Sequence, residues 1–211
     1  MPKSCDLLIT EVRTALQEHD YRTPMKFGGK VVERAAVLDV AVRARTRAGR
    51  DAAGFGSMPM GNTWSFPSSR LGFDETLAAM LDLAGRIAAG LADASGGEML
   101  DPMEHGGLVE ELALAEAGAV RRDRRLGEAI PELCALVTAS AFDAAIHDAF
   151  GKVMDRPVWA CYGEEFLNRD LGEYLDAGFA GRYPAQYLAA EPKARMPLYH
   201  LVGALDPLTA G

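Results

Sequence analysis

Histidine and cysteine carry much of the nucleophilic, acid–base and metal chemistry of proteins, and this chain of 211 residues has four histidines and three cysteines. They form no Cys-x-x-Cys pair and no His-Glu-x-x-His motif, and the sequence also lacks Gly-x-Ser-x-Gly and a phosphate-binding Gly-x-x-x-x-Gly-Lys-Ser/Thr loop. An odd number of widely spaced cysteines is typical of a reduced, cytoplasmic chain. The residues are His19, His105, His147, His200, Cys5, Cys134 and Cys161.

One neighbouring pair, His147 and Asp148, has the residue types of a catalytic dyad, in which a carboxylate raises the pKa of an imidazole. Adjacent residues on a helix do not face each other, whereas residues four apart do. Lys152 stands four residues after Asp148. We therefore expect an ordinary helical ion pair between Asp148 and Lys152.

The charge balance limits the partners. The chain has 22 Lys and Arg against 30 Asp and Glu, a net charge of −8, whereas nucleic acids and anionic membranes require clustered positive charge. The basic run from Arg121 to Arg125 is interrupted by Asp123, which favours a solvated helix face over a phosphate site. The apolar patch at residues 7–9 is too short for a signal peptide, and no uncharged apolar stretch approaches the ~20 residues of a membrane span. We expect no nucleic-acid partner, no membrane partner and a cytoplasmic location.

The hydrophobic pattern predicts strands first and helices afterwards. Residues 37–46 alternate between apolar and polar, the period of a half-buried strand, and residues 6–16 and 52–58 can pair with them. Gly54-Phe55-Gly56 lacks the third glycine of a dinucleotide fingerprint and is better explained as a point of close approach. Helical spacing follows in three segments. Their apolar positions are Leu77, Met80, Leu81, Ala84, Ile87, Ala88 and Leu91; Leu108, Leu112, Ala115 and Ala119; and Leu133, Leu136, Val137, Ala141, Ala144, Ala145 and Phe150.

Two segments beside the strands have an unusual composition for loops. Residues 21–29 combine aromatic, cationic and glycine positions, and residues 58–67 are rich in Met, Trp and Phe without a regular period. Such loops are candidates for covering a pocket or a partner. The alternative is that they pack against their own domain.

The end of the chain changes character. Residues 164–195 are irregular, and residues 197–204 are expected to form one more strand, after which only a few residues follow. The predicted class is α+β: a short antiparallel sheet of about three strands with about three helices, an irregular connection, and one orphan strand that opens a further domain.

Several segments together resemble one family. The run from Ser140 to Lys152, followed by Arg156-Pro157-Val158-Trp159 and Tyr162-Gly163, resembles the end of the N-terminal capping domain in the mandelate racemase/muconate lactonizing group of the enolase superfamily. Arg22-Thr23-Pro24, Phe27-Gly28, Arg45-Thr46-x-x-Gly49 and Gly54-Phe55-Gly56 are similar to the opening strands of that domain, with Ser57 where Glu is usual. The resemblance covers residues 5–203. It implies a capping domain at 1–163, a connection at 164–195 and the start of an incomplete (β/α)₈ barrel at 196–211.

This resemblance implies that the catalytic residues and the substrate-selecting residues lie in different domains. In the family, acid–base residues and three Mg²⁺-binding carboxylates lie on later barrel strands, where the metal stabilises the enolate formed by removal of a proton α to a carboxylate. The resemblance therefore assigns no catalytic residue and no metal ligand to these 211 residues, and Mg²⁺ is expected only for a full-length parent. That parent would be a racemase, an isomerase or an acid-sugar dehydratase. The chain alone is expected to be inactive.

The family's capping domain closes over the barrel mouth with two loops and selects the substrate. By position these correspond to residues 21–29 and 58–67, so the resemblance implies substrate contacts at Lys26, Phe27, Met60, Asn62 and Trp64. Lys26 suits a small carboxylate substrate, and a homo-oligomer is possible. A different class of function stays open: a non-catalytic binding module without a barrel, docking through an exposed cluster of Met58, Met60, Trp64 and Phe66.

Overall fold

The computed structural model describes residues 2–27, 30–189 and 191–199. In this part of the chain three strands form an antiparallel sheet in the order β1-β2-β3, and helices cover one of its faces. The strands are β1 (Leu7–Phe27), β2 (Lys30–Thr46) and β3 (Asp51–Pro59). The helices are α1 (Asn62–Ser65), α2 (Phe73–Gly90), α3 (Pro102–Asp123), α4 (Glu132–Val153) and α5 (Leu171–Tyr174), with 3₁₀ turns at Val158–Cys161, Ala177–Phe179 and Pro184–Tyr187. The predicted α+β class, with three strands and three long helices, is confirmed.

The hairpin of β1 and β2 is longer than the sequence pattern predicts. Residues 21–27, expected as a loop, pair with the start of β2 through Met25 opposite Val32 and Lys26 opposite Val31. The register shifts between Asp20 and Met25, where Pro24 has no N–H to donate, and an edge strand tolerates such a proline. β3 pairs with β2 only from residue 37 onwards. The far end of the hairpin is therefore two-stranded.

Helix α4 lies directly on β2 and β3 because two glycines of β3 leave room for its backbone. A Cβ atom at Gly54 would lie 2.0 Å from the carbonyl oxygen of Ala145, and one at Gly56 would lie 2.1 Å from that of Ala141. No real Cβ tolerates such distances, so only glycine allows strand and helix to approach this closely. The predicted close approach at residues 54–56 is confirmed.

The buried stripes of two helices differ from the predicted ones. In α3 the buried residues are His105, Val109, Ala113, Ala117 and Val120, whereas Leu108 and Leu112 are only partly covered and Ala115 is exposed. In α4, Leu133 and Leu136 are 51% and 39% exposed. Of the other predicted positions of α4, Val137, Ala141, Ala145 and Phe150 are buried. In α3 the prediction was wrong because it followed the leucines, whereas the buried stripe consists of a hydrogen-bonded histidine, two alanines and two valines. Helix α2 packs mainly on α3 and α4, and α4 makes most of the helix contact with the sheet.

The connection after residue 163 is tied to the first turn of α3. Asp101 caps that helix, accepting from the backbone N–H of Glu104 at 2.9 Å, while its own N–H donates to the Glu104 carboxylate at 3.1 Å. The backbone N–H of Asn168 donates to Asp101 at 2.6 Å, and its Nδ2 donates to Asp6 at 3.0 Å and to Glu104 at 2.9 Å. This capping box also anchors the connection.

Two further expectations concern the ends of the fold. Residues 197–199 of the predicted orphan strand are not in a strand, and residues 200–204 lie outside the described residues, so this strand stays a prediction. Among the described helices α4 is long and apolar enough to cross a membrane, but 61% of that apolar window is buried within the fold. That burial is typical of a core helix.

Candidate functional site

The far end of the β1–β2 hairpin and the segment after β3 together form a groove of about 270 Å³. We call it the tip groove. The two segments singled out from composition therefore meet at one place. Its lining residues are Tyr21, Met25, Val32, Arg34, Ala35, Pro59, Met60, Gly61, Asn62, Thr63, Trp64 and Phe73.

Trp64 forms one wall of the tip groove and is 42% exposed. Its position depends on the glycine before α1, because a Cβ atom at Gly61 would lie 2.1 Å from the indole Nε1. Tyr21 and Met25 of the hairpin are 41% and 37% exposed on the same groove. The groove therefore presents large, half-exposed apolar side chains that a ligand could cover.

The other predicted contact residues occupy different environments. Met60 is 4% exposed and forms part of the core. Asn62 is buried, and its amide nitrogen donates to the carbonyl of Phe73 at 2.8 Å and to the hydroxyl of Thr76 at 2.9 Å. Those bonds hold α1 against α2. Lys26 is exposed on β1, and the side chain of Phe27 lies outside what the structure describes.

The hairpin that borders the tip groove is rich in basic residues in an acidic protein, and of these Arg34 is in the groove lining. Residues 21–34 carry four basic side chains, Arg22, Lys26, Lys30 and Arg34, against one acidic side chain, Glu33. Arg34 lies over the Phe73 ring, 6.0 Å from its centroid, and pairs with Asp74 at 2.6 Å. Such a hairpin attracts anions locally despite the overall charge.

Four groove residues outside the two predicted segments were missed by the sequence analysis: Val32, Arg34, Ala35 and Phe73. Arg34 stands in a stretch that the pattern left outside any strand, and Phe73 begins a helix whose apolar period starts later. A signal was nevertheless present, since the residues 30–34 contain β-branched Val31 and Val32 between two cations. Extending the strand through them would have placed Arg34 at the hairpin.

The ordinary helical ion pair expected between Asp148 and Lys152, beside His147, is confirmed. Lys152 pairs with Asp148 at 2.5 Å, and Asp148 also accepts the backbone N–H of Phe55 at 2.8 Å. His147 instead contacts Tyr162, whose hydroxyl lies 2.7 Å from Nδ1, and Asp143, 3.5 Å from Nε2. Asp148 thus joins α4 to β3 and is not a partner of His147.

The described residues do not fit a bound metal ion. Among them, no group of three or more His, Cys, Asp or Glu side chains is placed to share one. Cys5, Cys134 and Cys161 are free and buried, and burial raises the pKa of the Cys134 thiol to about 12 and that of Cys161 to about 11. We therefore propose neither metal-dependent nor thiolate chemistry for this part of the chain.

Comparison with known proteins finds solved structures that are similar to this chain. No protein-family model and no curated protein match the chain. It is similar to a mandelate racemase/muconate lactonizing enzyme (21% identity, covering 75% of this chain and 35% of that one, TM-score 0.41). It is also similar to L-talarate/galactarate dehydratase from Salmonella typhimurium LT2 (19% identity, covering 74% of this chain and 33% of that one, TM-score 0.44). A third similar structure is the dipeptide epimerase of Cytophaga hutchinsonii, complexed with Mg and a dipeptide (17% identity, covering 77% of this chain and 35% of that one, TM-score 0.44).

These solved structures include the group whose capping domain the sequence resembles. The chain spans about a third of the length of each of them.

Proposed function

We propose that this chain is the capping, substrate-selecting portion of an enzyme resembling the mandelate racemase/muconate lactonizing group, and that its tip groove contacts a small carboxylate substrate. The observation that carries the proposal is the convergence of residues 21–35 and 59–64 on one groove with exposed aromatic walls and the cation Arg34 in its lining. Within it, Trp64, Tyr21 and Met25 shape the apolar part of the ligand. Arg34 supplies positive charge in the lining, and Lys26, next to Met25 on the same strand, adds to the local positive charge that favours a carboxylate.

The chemical step belongs elsewhere under this proposal. A parent of this group would remove a proton α to the carboxylate, with Mg²⁺ stabilising the enolate, and the described residues hold neither a metal-binding group nor a base aimed into the tip groove. We expect the chain alone to be inactive. An assay of α-hydroxy and sugar acids with Mg²⁺ tests this, and metal-dependent turnover by the purified chain would contradict it.

Binding by the groove can be measured through Trp64. The chain has two tryptophans, so the Trp159→Phe variant makes Trp64 the sole indole fluorophore. Titration with mandelate should give a saturable change in fluorescence, and methyl mandelate, with the same ring and no charge, should bind more weakly. Arg34→Gln should weaken mandelate binding about two- to fivefold, the effect of a partly exposed ion pair worth about 0.5–1 kcal/mol.

The matched control is Arg50→Gln, which removes one exposed cation at the turn between β2 and β3, the other end of the sheet from the hairpin tip. It should leave mandelate affinity unchanged. Equal affinity for the acid and its ester would show that the positive charge at the groove does not select the ligand.

The alternative function, a non-catalytic module that docks through an apolar cluster, was based on the exposure of four side chains, and the structure does not have this exposure. Phe66 is 2% exposed and Met60 is 4% exposed, and Met58 is partly buried against the core, so only Trp64 of the four is substantially exposed. The expected exposed cluster was wrong because Met60 and Phe66, on either side of α1, belong to the hydrophobic core, and Met58 of β3 packs against that core.

A further inference from the structure

A second cavity, of about 360 Å³, lies on the other side of the helical layer between α3, α4 and the connection. We call it the tyrosine pocket. Its lining residues are Met103, Asp143, His147, Tyr162, Tyr174 and Pro184. It shares no residue with the tip groove, and the proposed function makes no use of it.

One polar atom in the tyrosine pocket is left unsatisfied. The Tyr174 hydroxyl is shielded from solvent and has no hydrogen-bond partner among the described residues. Leaving a buried hydroxyl unpaired costs free energy, so native structures rarely keep one without a reason. A ligand that hydrogen-bonds this oxygen would remove the cost.

The second tyrosine is already engaged. The Tyr162 hydroxyl lies 2.7 Å from Nδ1 of His147, and Nε2 of the same ring lies 3.5 Å from Asp143. This contact with the imidazole occupies the Tyr162 hydroxyl. Tyr162 therefore offers a ligand its ring rather than its proton.

The charges that face the pocket are mostly negative. Asp143 lines it with its side chain 46% exposed, and no Lys or Arg is among the lining residues. The pKa of both phenols is raised, first by burial, then by carboxylates: by Asp143 for Tyr162, and by Asp101 and Glu104 for Tyr174. Arg169 opposes this at Tyr174, but it is paired with Glu104 at 3.1 Å.

The geometry points to a binding site for a small primary alkylammonium in the tyrosine pocket. Its N–H groups would donate to the Asp143 carboxylate and to the unpaired Tyr174 oxygen, which are acceptors without competing donors from Lys or Arg in the lining. The cation would lie against tyrosine rings. Its alkyl chain would contact Met103 and Pro184, which are apolar.

The access of Asp143 to the pocket depends on a glycine of α3. A Cβ atom at Gly106 would lie 2.7 Å from Asp143 Oδ1, whereas one at the next residue, Gly107, would meet nothing within 4 Å. These adjacent glycines provide a matched pair of variants. Gly106→Ala displaces the carboxylate, and Gly107→Ala does not.

The test is titration of the 211-residue chain with n-butylammonium chloride at pH 8 and constant ionic strength, followed by NMR of the tyrosine and histidine rings. We expect saturable shifts at His147 and Tyr162, at least tenfold weaker binding of the neutral isostere n-butanol, and at least tenfold weaker binding of n-butylammonium in Asp143→Asn. Asp155→Asn, which removes the same charge from an exposed residue with φ of +55°, a conformation that asparagine tolerates, should bind as the wild type does.

Tyr174→Phe separates a ligand-binding role from a structural one. Removing an unpaired buried hydroxyl should raise the unfolding midpoint while it weakens n-butylammonium binding about three- to tenfold. Gly106→Ala should weaken binding and Gly107→Ala should not. Equal binding of n-butanol, unchanged affinity in Asp143→Asn, or the absence of saturable shifts in the wild type would each overturn the proposal.

Discussion

At the scale of single residues, Gly54 tests the close contact between sheet and helix. Gly54→Ala would place Cβ 2.0 Å from the Ala145 oxygen and 2.4 Å from the Ala149 nitrogen, both backbone atoms that cannot swing aside. We expect a loss of unfolding free energy of about 3 kcal/mol or more, as for severe overpacking. Chemical denaturation measures it.

The matched control is Gly85→Ala, in the interior of α2, where a Cβ meets nothing within 4 Å. Here the same substitution should stabilise the chain by about 0.5–1 kcal/mol, because alanine loses less backbone entropy than glycine in a helix. Similar effects of the two substitutions would show that α4 does not pack on β3 this closely.

Residue types alone predicted some of these roles and not others. The glycines at 54 and 56 and the pair Asp148–Lys152 followed from local rules of strand packing and helix spacing. The side chain of Asn62 looked like a ligand contact because it stands in a loop-like segment, and only the fold shows its amide bonded to α2. The pairing of His147 with Tyr162 joins residues 15 apart, and no local spacing rule predicts it.

At the scale of elements, His105 links the first turns of α3 to the start of β1. It is 1% exposed, its Nε2 lies 2.9 Å from the carbonyl oxygen of Leu7, and burial lowers its pKa below the ordinary 6.5. A histidine whose pKa is lower in the folded state than in the unfolded state favours folding at pH values above the unfolded-state pKa. This contribution to stability is lost as the pH falls below about 6.5.

Urea denaturation at pH 7.5 and pH 5.5 measures this contribution. The wild type should lose stability at the lower pH, and His105→Gln, whose amide can still donate to Leu7, should lose less. Because other groups titrate in both proteins, the difference between them isolates His105. An identical pH dependence in the variant would show that the imidazole does not have to become charged on unfolding.

The element boundaries show where sequence patterns fail. The alternation in residues 37–46 marks only the half of β2 that lies under α4, because the first half has no buried face to enforce a period. The α3 stripe was misplaced for a different reason: its contact is formed by two valines together with two alanines and a histidine, and hydrophobicity ranks the alanines and the histidine below the leucines beside them.

At the scale of the whole molecule, the fold places two cavities on different elements. The tip groove depends on the hairpin and α1, while the tyrosine pocket depends on α3, α4 and the connection. The fold class was predictable because the second half of β2 and the three long helices have a clear hydrophobic period, and residues 6–16 and 52–58 can pair with that strand. The two cavities were not, since they join segments distant in the sequence.

The hairpin tip, where β1 and β2 pair without β3, has a consequence for dynamics. An isolated two-stranded hairpin is only marginally stable in water, so residues 21–27 and 30–36 should open while the helical body stays folded. In hydrogen–deuterium exchange we expect their amides to exchange by local opening, much faster than those of Val40 and Val42, and to slow when mandelate binds. The tip groove would then be assembled by its ligand, and part of the binding free energy would be spent in ordering the hairpin.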